Sequence, residues 1–285
     1  MSKLRISWLT ACFAIFSSTA FADAISTQRD NIASAPLTNT SGNEREVAGW
    51  KSIFDKYDTN GTVVVKDFRG TSSKTYVYNK ARSVVRYTPA STFKIPHSLF
   101  ALDAGVVKDE FQKFKWDGTI NEIPTHNQDQ TLRSAMRYSA LWAYRGFAKE
   151  IGERKATAYL QKIKYGNQSA SVKIRDYWVN GGLEVSAVEQ VEFLQKLYRN
   201  ELPFKVEHQL LTKDIMVTGA GLDWILRSKT GLGQQVGWWV GWIELPAGPV
   251  FFAVNIDTPN RMADTHKREA IGREVLRAVG ALPSN

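Results

Sequence analysis

Gly237-Trp238-Trp239-Val240-Gly241-Trp242-Ile243-Glu244-Leu245 and Val250-Phe251-Phe252-Ala253-Val254-Asn255-Ile256-Asp257 flank the turn Pro246-Ala247-Gly248-Pro249. Two β-branched and aromatic runs of strand length on either side of a Pro/Gly turn predict adjacent antiparallel strands. Upstream, Trp224 to Gly231 is a third strand-like segment. Far earlier, Gly61-Thr62-Val63-Val64-Val65-Lys66-Asp67 and Thr75-Tyr76-Val77-Tyr78 flank Arg69-Gly70-Thr71-Ser72-Ser73, a hairpin signal. The chain between these strand groups, about 89–221, is mostly helical in pattern. Residues 90–104 form one helix; Leu132, Met136, Leu141, Phe147 and Ile151 mark one long helix; Val188, Val191, Phe193, Leu194 and Leu197 mark another. Further helices are predicted from about Glu44 to Tyr57 and from about Thr265 to Val279. The expected class is α+β: one antiparallel sheet flanked by helices and split by a helical insertion, with a cleft where the two meet.

The chain of 285 residues has the apolar and charged fractions of a globular protein and a net charge of +9. Its first 22 residues read as an export signal: Lys3 and Arg5, an apolar run from Ile6 to Phe16 interrupted only by Ser7 and Thr10, then Ala20-Phe21-Ala22 as a cleavage site. The apolar stretch is too short to span a bilayer comfortably, and no later run is long enough. Cleavage would leave one domain over 23–285, with 23–43 as a lead-in and the helical subdomain inserted. It removes two positive charges, leaving +7 from +9. Basic and acidic residues are interleaved, which argues against nucleic acid and for carboxylate-bearing small molecules or anionic envelope polymers. The one cysteine, Cys12, lies in the signal, so the mature chain has no disulfide, thiol nucleophile or thiolate metal site. His97, His126, His208 and His266 show no i, i+4 pair and no His-x-His, so zinc-ligand spacing is missing; packing or solvent exposure is the expectation for all of them.

Chemistry enters at Ser91-Thr92-Phe93-Lys94. On a helix, positions 91 and 94 lie one turn apart on one face, so the lysine amine reaches the serine hydroxyl and can act as its base. Pro89 just before suits a turn into a helix, whose first backbone N–H groups are free to stabilise an oxyanion. The tetrad alone is weak, since it arises by chance roughly once in a chain this long. Ser139-Ala140-Leu141 supplies a second hydroxyl able to donate and accept a proton. Lys229-Thr230-Gly231 ends a strand, where Lys229 and Gly231 face one side: the ammonium can meet a carboxylate, and the missing side chain lets backbone approach a ligand. The N–H of Leu232 is then a candidate second oxyanion donor. Taken singly, Ser139 reads as a tolerated helix serine and Lys229-Thr230-Gly231 as a strand-end turn. Their joint order, at separations of about 48 and 90 residues, is what lifts them.

The set resembles the motifs of penicillin-recognising serine enzymes. Pro89-Ala90-Ser91-Thr92-Phe93-Lys94-Ile95-Pro96, Tyr165-Gly166-Asn167, Trp178 and Gly237-Trp238-Trp239-Val240-Gly241-Trp242 resemble the class D serine β-lactamases, the oxacillinase family, from about residue 50 to 283. The resemblance implies a periplasmic enzyme that hydrolyses β-lactam antibiotics through an acyl-enzyme on Ser91 and confers resistance. It also implies that Lys94 is carboxylated by CO₂ to become the general base, so no separable cofactor or metal is needed. Trp178 would steady that carboxylate and Ser139 pass a proton to the lactam nitrogen. Lys229, Thr230 and Arg268 would bind the substrate carboxylate, Arg268 rather than its neighbour Lys267. Two positions depart from the family pattern: Leu141 where valine is usual and Val179 where leucine is frequent. If both cover the carboxylate, they form a roughly volume-conserving exchange. A homodimer is known in the family, but the sequence carries no interface signature. The rivals are a penicillin-binding transpeptidase or carboxypeptidase, which shares the three motifs, and a β-lactam sensor domain, which hangs from membrane helices. Substrate range is not legible from spacing.

Overall fold

The computed structural model describes residues 44–170 and 176–283, all within one compact unit. The signal at 1–22 and the lead-in at 23–43 lie outside the described residues. Strands β1 (Glu44–Glu46), β2 (Gly61–Asp67), β3 (Lys74–Tyr78), β4 (Val217–Ala220), β5 (Ile225–Leu232), β6 (Val236–Glu244) and β7 (Val250–Asp257) form one sheet in the order β1-β3-β2-β7-β6-β5-β4. All neighbours are antiparallel except β1, which runs parallel to β3 at the edge.

The central strands are apolar at nearly every position because both faces of the sheet are covered. Trp238, Val240, Trp242, Phe251 and Ala253 point into one core, shared with the helical block. Trp239, Ile243, Val250, Phe252 and Val254 point into the other. There they meet Phe54 of α1 (Lys51–Lys56) and Ile271, Val275 and Leu276 of the last helix. The two lists alternate along each strand, as the period of two requires.

In sequence, the helices from the short α2 (Lys80–Ser83) through α3 (Lys94–Asp103), α4 (Leu132–Tyr138), α5 (Leu141–Ile151), α6 (Glu153–Ile163), α7 (Ala187–Tyr198) and α8 (Val206–Ile215) lie between β3 and β4. Helix α9 (Thr265–Ala278) closes the chain. Three expectations need correction. The helix expected over 44–57 is β1, a 3₁₀ turn at Ala48–Trp50, and only then α1. The expected all-antiparallel sheet is mixed at its β1 edge. The long helix through 132–151 is two helices, because Ser139 adopts φ +62°. There Ala140 N–H bonds Ala135 O at 3.0 Å and Ser139 N–H bonds Met136 O at 3.3 Å, the bond pair of a Schellman terminus.

Phe252 is fully buried, with its ring centroid 4.4 Å from that of Trp239. Phe252→Ala should therefore lower unfolding free energy by about 3–5 kcal/mol in a urea melt. Leu222→Ala, at a fully exposed position, should stay within about 0.5 kcal/mol of wild type.

Candidate active site

Ser91 sits in a 3₁₀ turn, Ala90–Phe93, that runs directly into α3 at Lys94, so the expected single helix over 90–104 begins with a tighter turn. Thr92 fixes this turn: its backbone N–H and its hydroxyl both donate to Pro89 O, at 3.1 and 2.7 Å. Gln190 Nε2 from α7 donates to Thr92 Oγ1 at 2.8 Å, and Tyr165 bonds the other end of that amide at 3.2 Å. Lys94 Nζ then lies 2.9 Å from Ser91 Oγ.

Lys94 is completely buried. Its amine stands 5.1 Å from the centre of the Tyr144 ring, and Tyr144 in turn shares Ser98 Oγ with the Lys94 carbonyl. Phe93, His97, Tyr177 and Trp178 complete an aromatic cluster, with Trp178 stacked on Phe93 at 5.9 Å and edge-on to His97 at 4.8 Å. Burial first, and then the charges of Lys229 and Arg145, hold the Lys94 ammonium well below the ordinary lysine range. Burial drives His97 down to about 3, so it is neutral at physiological pH. Trp178 Nε1 is buried and has no hydrogen-bond partner among the described residues, an arrangement that costs about 1–3 kcal/mol unless something accepts from it. The loop carrying Trp178 is tied down by Thr88 Oγ1 to Trp178 O, 2.9 Å, and by the Arg145–Asp176 ion pair, 2.7 Å.

Strand β5 packs on the Ala90–Phe93 turn. A Cβ on Gly231 would lie 3.0 Å from Pro89 O and 3.3 Å from Thr92 N. The glycine thus admits the Ser91 turn, a use beside the one expected from sequence, in which the missing side chain lets the strand backbone approach a ligand. Gly233 N–H bonds Val236 O at 2.8 Å, and Ser228 N–H turns the other way to Met216 O at 2.9 Å. Alternation along the antiparallel pair therefore directs the Leu232 N–H away from β6, onto the open edge of β5. The Thr230 carbonyl points the same way and accepts Lys229 Nζ at 3.0 Å. Lys229 is buried, and burial together with Arg268 pushes it down to about 7. Arg268 Nη1 donates to Gly231 O at 3.0 Å, whereas Lys267 pairs with Asp264 at 2.9 Å and reaches Asp58 O. Of these two neighbours, Arg268 is the one joined to the Lys229–Gly231 strand.

Ser139 follows Arg137, which shares a cavity of about 250 Å³ with Thr218, Lys229 and Thr230. A larger cavity of about 730 Å³, at Asp55, Asp58 and Asp257, contains none of the motif residues. Leu141 and Val179 are half-buried against the apolar cluster that includes Phe93, Tyr144 and Trp178. Sequence reasoning passed over Tyr144, Arg145 and Gln190. Tyr144 stands one helical turn beyond Leu141 and was findable by spacing, whereas the partners of Arg145 and Gln190 are set only by tertiary contact. Among the described residues no group of three or more His, Cys, Asp or Glu is placed to hold a metal.

The family model described as "Penicillin binding protein transpeptidase domain" matches residues 37–277. The chain is 60% identical over 240 residues to the β-lactamase OXA-20 of Pseudomonas aeruginosa, covering 84% of this chain and 90% of that one. The chain belongs to the class D serine β-lactamases, a family of hydrolases. It is also 41% identical over 243 residues to OXA-48 of Klebsiella pneumoniae, covering 84% of this chain and 91% of the relative. The solved class D enzyme FUS-1 (OXA-85) from Fusobacterium nucleatum subsp. polymorphum superposes with a TM-score of 0.79 at 35% identity, over 84% of this chain and all of that one. The class D β-lactamase YbXI from Nostoc gives the same TM-score at 34% identity, over 83% of this chain and 100% of that one.

The buried lysines carry a stability signature. An unfolded lysine titrates near 10.4, so between about 7 and 10.4 the unfolded chain binds the proton that folded Lys229 has released. The cost of burying this ammonium is complete below about pH 7 and fades as pH rises towards 10.4. Lys229→Met should therefore raise the melting temperature most at pH 6–7, with a gain that shrinks towards pH 10.

Proposed function

We propose that this enzyme hydrolyses β-lactam antibiotics through an acyl-enzyme on Ser91, and that Lys94 works as its N-carboxylated form. The observation that carries the reading is the 2.9 Å contact between Ser91 Oγ and a lysine amine that is buried in an aromatic cluster and whose pKa burial holds well below the ordinary lysine range. An uncharged amine adds to CO₂ with formation of one N–C bond and release of one proton. The residues fit the product, since Trp178 Nε1 stands buried without an acceptor beside Phe93 and His97. When present, the carboxylate supplies an anionic base beside Ser91 and beside the water that later attacks.

The chain's own groups do the remainder. Ser91 Oγ gives up its proton towards Lys94 and attacks the lactam carbonyl, whose developing oxyanion meets the backbone N–H groups of Ser91 and Leu232. Ser139 passes a proton to the lactam nitrogen as the C–N bond breaks, leaving the acyl group on Ser91. Lys229, Thr230 and Arg268 hold the substrate carboxylate, with Arg268 kept charged by its high intrinsic pKa although burial lowers it. Leu141 and Val179 cover the Lys94 carboxylate from the apolar side. A water then cleaves the ester and regenerates Ser91. Export by residues 1–22 to the periplasm, where such hydrolysis confers resistance, belongs to the same reading. No helix of the described residues is long and apolar enough to cross a membrane.

Hydrolysis of a chromogenic β-lactam with and without added bicarbonate, beside Lys94→Ala, tests this. Multiple turnovers that rise with bicarbonate and vanish in the variant are expected. A single stoichiometric burst that bicarbonate cannot extend would instead indicate a transpeptidase or sensor and void the role given to Lys94.

A further inference from the structure

Ser139 occupies the position of a Schellman terminus where glycine is usual, at φ +62°. An L-residue there is disfavoured by about 1–2 kcal/mol, and such conformations persist at functional sites only where the surroundings over-determine them. One determinant lies outside the helix. His126 Nε2 stands 2.8 Å from Tyr138 O, and a carbonyl only accepts, so Nε2 carries the proton. That carbonyl belongs to the same peptide plane as the Ser139 N–H, which bonds Met136 O at 3.3 Å. Both polar ends of the 138–139 peptide are therefore gripped. His126 is itself held from the far side of the turn, where Trp142 Nε1 donates to His126 O at 2.8 Å. The 3₁₀ turn Pro124–His126 thus bridges the last residue of α4 and the second residue of α5, with Ser139 between them. His126 is 7% exposed, and burial first, with Lys94 and Lys229 adding to it, lowers its pKa, which sets it within electrostatic reach of both lysines.

We propose that His126 is a positioning residue for Ser139: its Nε2–H clamps the Tyr138 carbonyl and so maintains the left-handed turn from which Ser139 delivers its proton to the leaving nitrogen. The inference rests on the reading of Ser139 as that donor. It predicts a defect confined to acylation, because the water attack that frees Ser91 needs no proton from Ser139 to a lactam nitrogen.

Pre-steady-state acylation and deacylation should be measured with a chromogenic cephalosporin at saturating bicarbonate for wild type, His126→Phe, His126→Gln, Trp142→Phe and Ser139→Ala. His126→Phe keeps a ring and loses the N–H, and should slow acylation about ten- to a hundredfold with substrate affinity and deacylation unchanged. His126→Gln restores an N–H at similar reach and should recover most of the rate. Trp142→Phe, which frees only the His126 carbonyl, should slow the same step by a smaller factor and carries the test if His126→Phe does not fold. Wild-type acylation in His126→Phe, or in Trp142→Phe when that variant carries the test, overturns the inference if Ser139→Ala is slow. A proportional loss in acylation and deacylation, or a failure of His126→Gln to recover, overturns it as well. Wild-type acylation in Ser139→Ala would instead overturn the reading of Ser139 itself.

Discussion

The rest of the site depends on burying Lys94 against Tyr144 and the neighbouring aromatic rings with no carboxylate beside it among the described residues, which costs the fold free energy and favours the neutral form of the amine that lies against Ser91. A solvated lysine three residues from a serine would stay an ammonium at neutral pH and take no proton. Desolvation is the largest cause of the shift, and the nearby cations Lys229 and Arg145 add to it. The same environment that favours the unprotonated amine, whose lone pair can then accept a proton, also leaves that lone pair open to CO₂.

Architecture serves that burial from both sides. The helical block supplies the aromatic wall through α3, α5 and the Trp178 loop. The sheet supplies β5, which approaches the Ser91 turn closely enough that a Cβ at position 231 would crowd Pro89 O and Thr92 N. Lys229 is placed by the same strand, so the second lysine lies near enough to depress the first without sharing a hydrogen bond with it. The polar frame behind Ser91, from Pro89 O through Thr92 and Gln190 to Tyr165, is bonded at each step and fixes that turn without using the Ser91 hydroxyl.

Much of this was legible in the sequence, for identifiable reasons. β6 and β7 announced themselves because strands buried on both faces need apolar side chains at nearly every position. Helix α7 was read from its apolar period at Val188, Val191, Phe193, Leu194 and Leu197, while the capping box of Ser186 and Glu189 that starts it was passed over. β1 and β4 were not, because short edge strands owe their conformation to the neighbour they pair with. Helix α6 was missed although Ala156, Tyr159, Leu160 and Ile163 carry the helical period. The break at Ser139 had no signal, since a serine stands where glycine would have marked the end of α4. His126 looked like an isolated histidine, and its bond to Tyr138 exists only in the folded chain. The spacing of Ser91, Lys94 and Lys229 gave the candidate site, whereas the orphaned Trp178 indole and the close approach of Gly231 to the Ser91 turn arise only in the folded chain.

The most direct test of the central claim is a titration of Lys94 itself. Protein labelled with ¹³C at the lysine ε carbons, prepared free of CO₂, should show by NMR one resonance that is missing in Lys94→Ala and titrates far below 10.4. Admitting ¹³C-bicarbonate near neutral pH should then add a carbamate carbonyl signal that the same variant lacks. A Lys94 resonance that titrates with the surface lysines near 10.4 and yields no such signal would contradict the account.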